Sequence, residues 1–173
     1  QENAGLAAAR NTGIRAALAD LILPLDDDNR LLAPYLQHGL AYMLDNPSVD
    51  LLYGDRMDFG ARHQRYQPGP LESQQLIVMN RIDACALFRR SLWRDCGGYD
   101  EQLTALEDWD LWLSAVKRGV QALYLSQPCF EYRVRENSML QTHLSESEHH
   151  RETIAYLRRK HGLPIQSLIN GPQ

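Results

Sequence analysis

Lysine is almost missing from this sequence. Lys117 and Lys160 are the only two, and arginine carries the rest of the positive charge. Arginine grips phosphate through a planar fork, but a plain compositional bias accounts for its abundance equally well. Positive charge is not in excess either: 18 basic against 22 acidic residues leave a net charge of -4. Nothing in the electrostatics therefore asks for a nucleic-acid partner. Cysteine is scarce. Cys85, Cys96 and Cys129 are odd in number, and no C-x-x-C or Cys/His cluster is present, which argues against a zinc site and a disulfide framework. Cys85 and Cys129 sit in apolar runs and read as buried thiols, in keeping with a reducing, cytoplasmic compartment. No apolar run approaches the roughly 20 residues of a membrane span. No signal peptide, repeat or low-complexity tract is visible.

What is present is an ordinary globular balance: 173 residues, 44% hydrophobic and 23% charged, enough for one domain with a real core. Residues 3–19 read as a helix capped by Asn3, with Leu6, Arg10, Ile14 and Ala17 on one face. Residues 21–25 form a short apolar strand. Pro34 suits the start of a second helix that runs to about residue 46, and residues 49–53 form a second strand. Residues 60–80, rich in Arg, Gln, Pro and Gly, read as a long loop. A strand over 83–89 and a short helix ending at Gly97-Gly98 follow. Then come a helix over 107–118 with Trp109, Trp112, Leu113 and Val116 as its stripe, a strand over 120–125, a polar loop over 133–142, and a charged helix over 145–161. The alternation predicts an α/β fold with parallel strands and flanking helices.

Two acidic stretches stand out. Asp26, Asp27 and Asp28 follow the first strand, at the carboxyl end where open α/β sheets bind ligands. Three adjacent carboxylates repel one another unless a cation compensates, and hard oxygen ligands suit Mg²⁺ or Mn²⁺. A solvated turn, with Asp28 or Asn29 as a cap, fits the same pattern. Glu107, Asp108 and Asp110 open the tryptophan-bearing helix. The helix dipole favours acids there, yet a carboxylate beside aromatic rings is also partly desolvated, which suits a general base. One cluster for metal and one for proton abstraction would suit group transfer from an activated phosphate ester. Arg10 lies on an apolar helix face, where a charge needs a partner. Either Asp26 or a bound nucleotide would serve.

The stretch ENAGLAAARNTGIRAALADLILPLDDDNRLLAPYL, residues 2–36, resembles the middle block of family 2 glycosyltransferases. In that family an N-x-G-x-x-x-A-R-N-x-G helix leads into a strand ending in D-x-D. The stretch DACALFRRSLWRDCGGYDEQLTALEDWDLWL, residues 83–113, resembles the family's second block, with its R-R-S step, G-G-[FY]-D-E turn and E-D helix. The resemblance covers residues 2–139. It implies a partial GT-A, Rossmann-like fold with a mixed, mainly parallel sheet. It implies an enzyme that moves a sugar from a nucleotide-diphosphate donor to a hydroxyl with inversion, in work such as building cell-envelope polysaccharide. Asp26 then faces the donor ribose, with Asp27 in the variable middle position, and Asp28 ligates Mn²⁺ or Mg²⁺. Asp108 is the base and Glu107 shapes the acceptor pocket. Arg10, Arg133 and Arg135 lie toward the donor. Many members carry His where Arg135 stands, so a loop cation in place of a loop ligand is expected.

The family's opening strand and P-x-Y-N-like turn have no match here. Residues 1–140 therefore read as the C-terminal catalytic part of such a domain, missing its N-terminal nucleotide-binding strands, and inactive by itself. Residues 141–173 read as a helical extension. Its basic residues Arg151, Arg158, Arg159 and Lys160 suit either a solvated face or peripheral contact with anionic lipid, as the lipid-linked acceptors of many relatives would require. A nucleotidyltransferase and a non-catalytic interaction module are the competing expectations.

Overall fold

The structure, a computed structural model, describes residues 3–135 and 147–164. Its elements in chain order are α1 (Leu6–Ala16), β1 (Leu21–Ile22), β2 (Arg30–Leu31), α2 (Ala33–Asp45), β3 (Leu51–Gly60), β4 (Gln64–Tyr66), α3 (Ser73–Val78), β5 (Leu87–Arg89), α4 (Arg90–Asp95), α5 (Glu107–Lys117), β6 (Ala122–Val134) and α6 (Ser147–His161). The strands form one mixed sheet in the order β1-β5-β3-β6-β2, with β4 added beside β3. Its parallel part is the long pairing of β3 with β6, and the short strands join antiparallel.

Side chains alternate across a strand, so neighbouring residues serve opposite faces. Leu51 and Tyr53 of β3 and Phe88 of β5 point into a core shared with α1, α5 and α6, centred on Trp109, Leu111 and Trp112. Leu52 and Leu87 point the other way, into a second core with Tyr35 and Met43 of α2 and Cys85, Cys129 and Phe130. A sheet covered on both faces explains why its strand cores read as unbroken apolar runs. Cys85 and Cys129 are buried free thiols, as expected. The two indoles each find a carbonyl, Trp109 Nε1 on Leu76 O at 2.7 Å and Trp112 Nε1 on Ile82 O at 3.0 Å, so burying them leaves no stranded donor. No helix among the described residues is long and apolar enough to cross a membrane.

Element boundaries depart from the sequence reading in instructive ways. The first helix starts at Leu6; Asn3 Oδ1 accepts from the Gly5 amide at 3.2 Å and caps no helix amide. The stretch expected as one long loop contains β4 and the short α3. β3 and β6 both run far past their apolar residues. Beyond Gly54 the ladder continues through Asp55, Arg56 and Asp58, whose charges are matched locally rather than exposed. Asp55 accepts from Arg65 Nε at 2.8 Å and from the Tyr124 hydroxyl, while Asp58 accepts from Arg56 Nε and Arg62 Nε, both at 2.9 Å. Hydrophobic patterning ends where burial is achieved by ion pairing. The register shifts at Gly54 and Asp55, where a Cβ on Gly54 would lie 2.8 Å from Leu125 O, and Pro128 falls at this irregularity, where no ladder amide is needed.

Asn11 ties α1 to the turn that precedes α5. It is 2% exposed. Its Nδ2 donates to Tyr99 O and Glu101 Oε1, both at 2.8 Å, and its Oδ1 accepts from Tyr99 N at 2.9 Å and Trp93 Nε1 at 3.0 Å. Gly98, at φ +82°, lets the turn approach; a Cβ there would sit 3.1 Å from Asn11 Oδ1. Asn11→Ala strands two donors and a carbonyl, each worth about 1–3 kcal/mol when buried. We expect a loss of at least about 2 kcal/mol in urea unfolding; a loss below about 0.5 kcal/mol would mean water replaces the amide without cost.

Candidate active site

Arg10 stands at the centre of the acidic residues. Helical spacing puts it on the same face as the buried Ala7 and Ile14, and its side chain is only 10% exposed. One guanidinium nitrogen donates to Asp26 Oδ1 at 2.7 Å, and the other donates to Glu107 Oε1 in a short contact. The ring of Tyr99 lies 5.7 Å from its guanidinium carbon. Two acidic stretches far apart in sequence are thus joined by one side chain. Burial works against the charged guanidinium, but Glu107 and Asp26 outweigh it and hold the Arg10 pKa well above its ordinary value.

Asp108 follows Glu107 and lies half-buried at the entry to α5. Its Oδ1 accepts from the Trp109 amide at 2.7 Å. Burial pushes the carboxyl up from its usual 3.8 to about 7, and the neighbouring carboxylates Glu107 and Asp83 add to the rise; Arg10 and a hydrogen bond from Asn80 oppose it. A carboxyl that titrates near neutrality can exchange a proton with a hydroxyl at working pH. The residue before the helix, Leu106, holds φ +64° and ψ 21°. A left-handed leucine costs roughly 1–2 kcal/mol, and such strain persists only where surrounding structure enforces it. Here it sets the first turn of α5, whose Glu107 meets Arg10.

The aspartate triplet divides its work. Asp26 meets Arg10, Asp27 is exposed, and Asp28 Oδ2 lies 2.8 Å from Arg135 Nη2. Asn29, 7% exposed, fixes the turn: its amide donates to Asp26 O at 3.1 Å, and its Oδ1 accepts from the Arg133 amide at 3.0 Å. Arg133, expected in a loop, belongs to β6; its Nε reaches Asp28 O at 3.4 Å and its guanidinium stacks 4.5 Å from the Phe59 ring centre. Among the described residues no three His, Cys, Asp or Glu side chains converge as a ready metal cage. Asp110, the third acid of the second stretch, faces away from this cluster and meets Lys160 and His161 on α6. It does not belong with Glu107 and Asp108.

Sequence reasoning gave no role to two residues here. Asp83 borders the cluster, its Oδ1 on the Cys85 amide at 3.0 Å and its Oδ2 3.3 Å from Arg56 Nη1. Burial raises its carboxyl pKa, and Asp26 adds to the rise against the opposing Cys85 amide, Arg56 and Arg10. The signal was an acid heading a run that is otherwise wholly apolar, which needs a partner. Tyr99 is 2% exposed and its hydroxyl has no partner among the described residues. Burial, offset in part by Arg10 and reinforced by Asp108, Glu107 and Asp26, lifts the phenol far above its usual pKa. Nothing in the local pattern separated it from a core tyrosine.

The chain resembles known proteins in sequence and in fold. Over 133 residues the chain is 31% identical to the pre-mycofactocin glycosyltransferase of Mycobacterium tuberculosis, covering 69% of the chain and 28% of that protein. The chain spans less than half the length of the curated relatives it matches. Its fold resembles residues 1–349 of TarS from S. aureus, solved with UDP-GlcNAc, at a TM-score of 0.63 and 18% identity over 80% of this chain and 42% of that one. It also resembles the mannosyltransferase PcManGT of Pyrobaculum calidifontis, solved with GDP-Man and Mn²⁺, at a TM-score of 0.60 and 16% identity over 90% and 44% of the two chains. These neighbours establish an α/β fold of GT-A type. The model of the glycosyl transferase family 2 matches residues 1–97, more than half of the 173, and the chain belongs to that family.

Proposed function

We propose that this chain supplies the acceptor-activating part of a glycosyltransferase that moves a sugar from a nucleotide-diphosphate donor to a hydroxyl, with inversion. The observation that carries the reading is the junction at Arg10, which joins Asp26 to Glu107 beside a carboxyl titrating near 7. Asp108, as carboxylate, takes the proton of the acceptor hydroxyl. The oxygen forms a bond to the anomeric carbon as the bond from that carbon to the diphosphate breaks, and the nucleoside diphosphate leaves. A single displacement needs one base and inverts the centre. Glu107, locked by Arg10, shapes the acceptor side; Asp26, Asp27 and Arg133 lie toward the donor.

Asp28 suits a divalent metal as a lone protein carboxylate, since Mg²⁺ is commonly held by one or two carboxylates together with substrate phosphates. Bound there, the ion would offset charge developing on the leaving diphosphate. Arg135 now neutralises Asp28 and can turn to phosphate instead, as arginine does. Asp28→Asn should therefore weaken Mn²⁺ binding, read by calorimetry with a nucleoside diphosphate present, at least tenfold while leaving the unfolding midpoint nearly unchanged. Equal Mn²⁺ affinity in the variant would remove Asp28 from the ligand set. Products decide the reaction class: nucleoside diphosphate with glycosylated acceptor supports transfer, whereas sugar phosphate with nucleoside monophosphate indicates nucleotidyl chemistry.

A further inference from the structure

We propose that α6 clamps the segment that carries the base, and that Lys160 is a positioning residue for the transfer reaction. This rests on the reading of Asp108 given above. The chain leaves the Gly97-Gly98 turn at Tyr99, passes Asp100 and Thr104, takes the left-handed step at Leu106 and enters α5 at Glu107. Asn11 holds Tyr99 from the α1 side. α6 holds the rest. Tyr156 donates its hydroxyl to Asp100 Oδ2 at 2.6 Å, and His149 Nε2 lies 2.8 Å from Thr104 Oγ1. Lys160 Nζ reaches both Asp100 Oδ2 at 2.7 Å and Asp110 Oδ2 at 2.8 Å. His161 Nε2 lies 2.7 Å from Asp110 Oδ1.

One ammonium therefore closes the stretch from Asp100 to Asp110, with Leu106, Glu107 and Asp108 between its anchors. The Asp110 end of the grip is buried. Asp110 is 1% exposed and His161 6%, while Ile154 and Leu157 of α6 sit in the main core. Burial alone would raise the Asp100 carboxyl, but hydrogen bonds from Lys160, Tyr156 and the Gln102 amide hold it below its usual value. The Lys160 ammonium is correspondingly favoured despite its partial burial, through Asp100 and Asp110. Buried Asp110 has its charge matched only from α6 among the described residues, so the helix cannot leave without stranding an anion. A strained leucine needs such over-determination to persist.

The test uses the full-length protein, with Lys160→Met, Lys160→Arg and Tyr156→Phe compared by amide hydrogen exchange and by steady-state transfer. Lys160→Met keeps the apolar stem and leaves Tyr156 on Asp100 and His161 on Asp110, so the fold should hold. We expect exchange over residues 104–110 to quicken at least tenfold while residues 51–53 of β3 stay unchanged. Transfer should lose at least tenfold in kcat with donor KM within twofold, and Lys160→Arg should restore most of both. Tyr156→Phe should act on the same amides more weakly. Unchanged exchange over 104–110 in both variants, or equal quickening in β3, overturns the clamp. A loosened segment with unaltered kcat overturns the role of Lys160 in the reaction. Loosening as expected in a full-length parent that transfers no sugar supports the clamp and counts against the glycosyltransferase reading instead.

Discussion

In the full-length protein, Asp108→Asn should lower kcat at least about 10²-fold, the smaller end of what a positioned general base contributes, while donor KM changes little. The parent rate should climb with pH through about 7, because the Asp108 carboxyl must lose its proton to act and burial with Glu107 and Asp83 holds that proton up to about 7. The variant's residual rate should lose this rise. Stability should move the other way. A carboxyl whose native pKa lies above its unfolded 3.8 binds its proton more tightly when folded. Its protonated form is fully favourable to the fold below about pH 4, and the benefit drains away as pH climbs to about 7. Above pH 7 the charged carboxylate is a net burden, at most about 4 kcal/mol at 1.36 kcal/mol per pH unit of separation. Asparagine removes that burden, so the variant should be more stable than the parent by roughly 1–3 kcal/mol at pH 8 and nearly equal to it at pH 4. Urea unfolding at the two pH values, beside a transfer assay, checks both halves. Turnover near the parent's would take Asp108 out of the base role whatever the stability showed.

How far the sequence carried can be judged element by element. The two blocks around Asp26 and Asp108 were visible because their polar residues interrupt strongly apolar patterns, and periodicity placed them at a strand end and a helix start. The ends of β3 and β6 were invisible, because Asp55, Arg56 and Asp58 are buried by pairing with Arg65, Tyr124, Arg62 and Asp83, and a hydrophobicity pattern records only burial achieved by apolar side chains. Asp110 could not be told apart from its two neighbours for a related reason. Glu107 and Asp110 are neighbours one turn apart on the helix, and only the position of α6 decides that the second serves packing. Asp83 and Tyr99 enter the site through sheet order and the Asn11 contact, which no local window contains.

Arg10→Met should be the most damaging substitution for the fold, because it unmakes the junction rather than one of its arms. Glu107 is 4% exposed and would lose the cation that faces it; Asp26 would lose the same partner. Removing one side of a buried pair typically costs 3–5 kcal/mol, mostly the penalty of the charge left behind, a large share of the roughly 5–15 kcal/mol that holds a domain together. Lysine cannot rescue it fully, since one ammonium lacks the fork that spans two carboxylates. The cost should depend on pH with a definite sign. An unpaired buried carboxylate gains by taking up a proton, so the penalty should shrink as pH falls from 8 to 5. Arg10 also opposes the rise of the Asp108 carboxyl, so its loss should push the pH-rate midpoint of any remaining activity upward from about 7. Glu107→Gln in the same background should recover part of the lost stability by removing the stranded charge, and the double-mutant cycle should show coupling well above the 0.3–0.5 kcal/mol within which independent sites add. Additive effects of the two substitutions would mean that Arg10 and Glu107 are neighbours without energetic dependence, and the junction would no longer explain why these two acidic stretches meet.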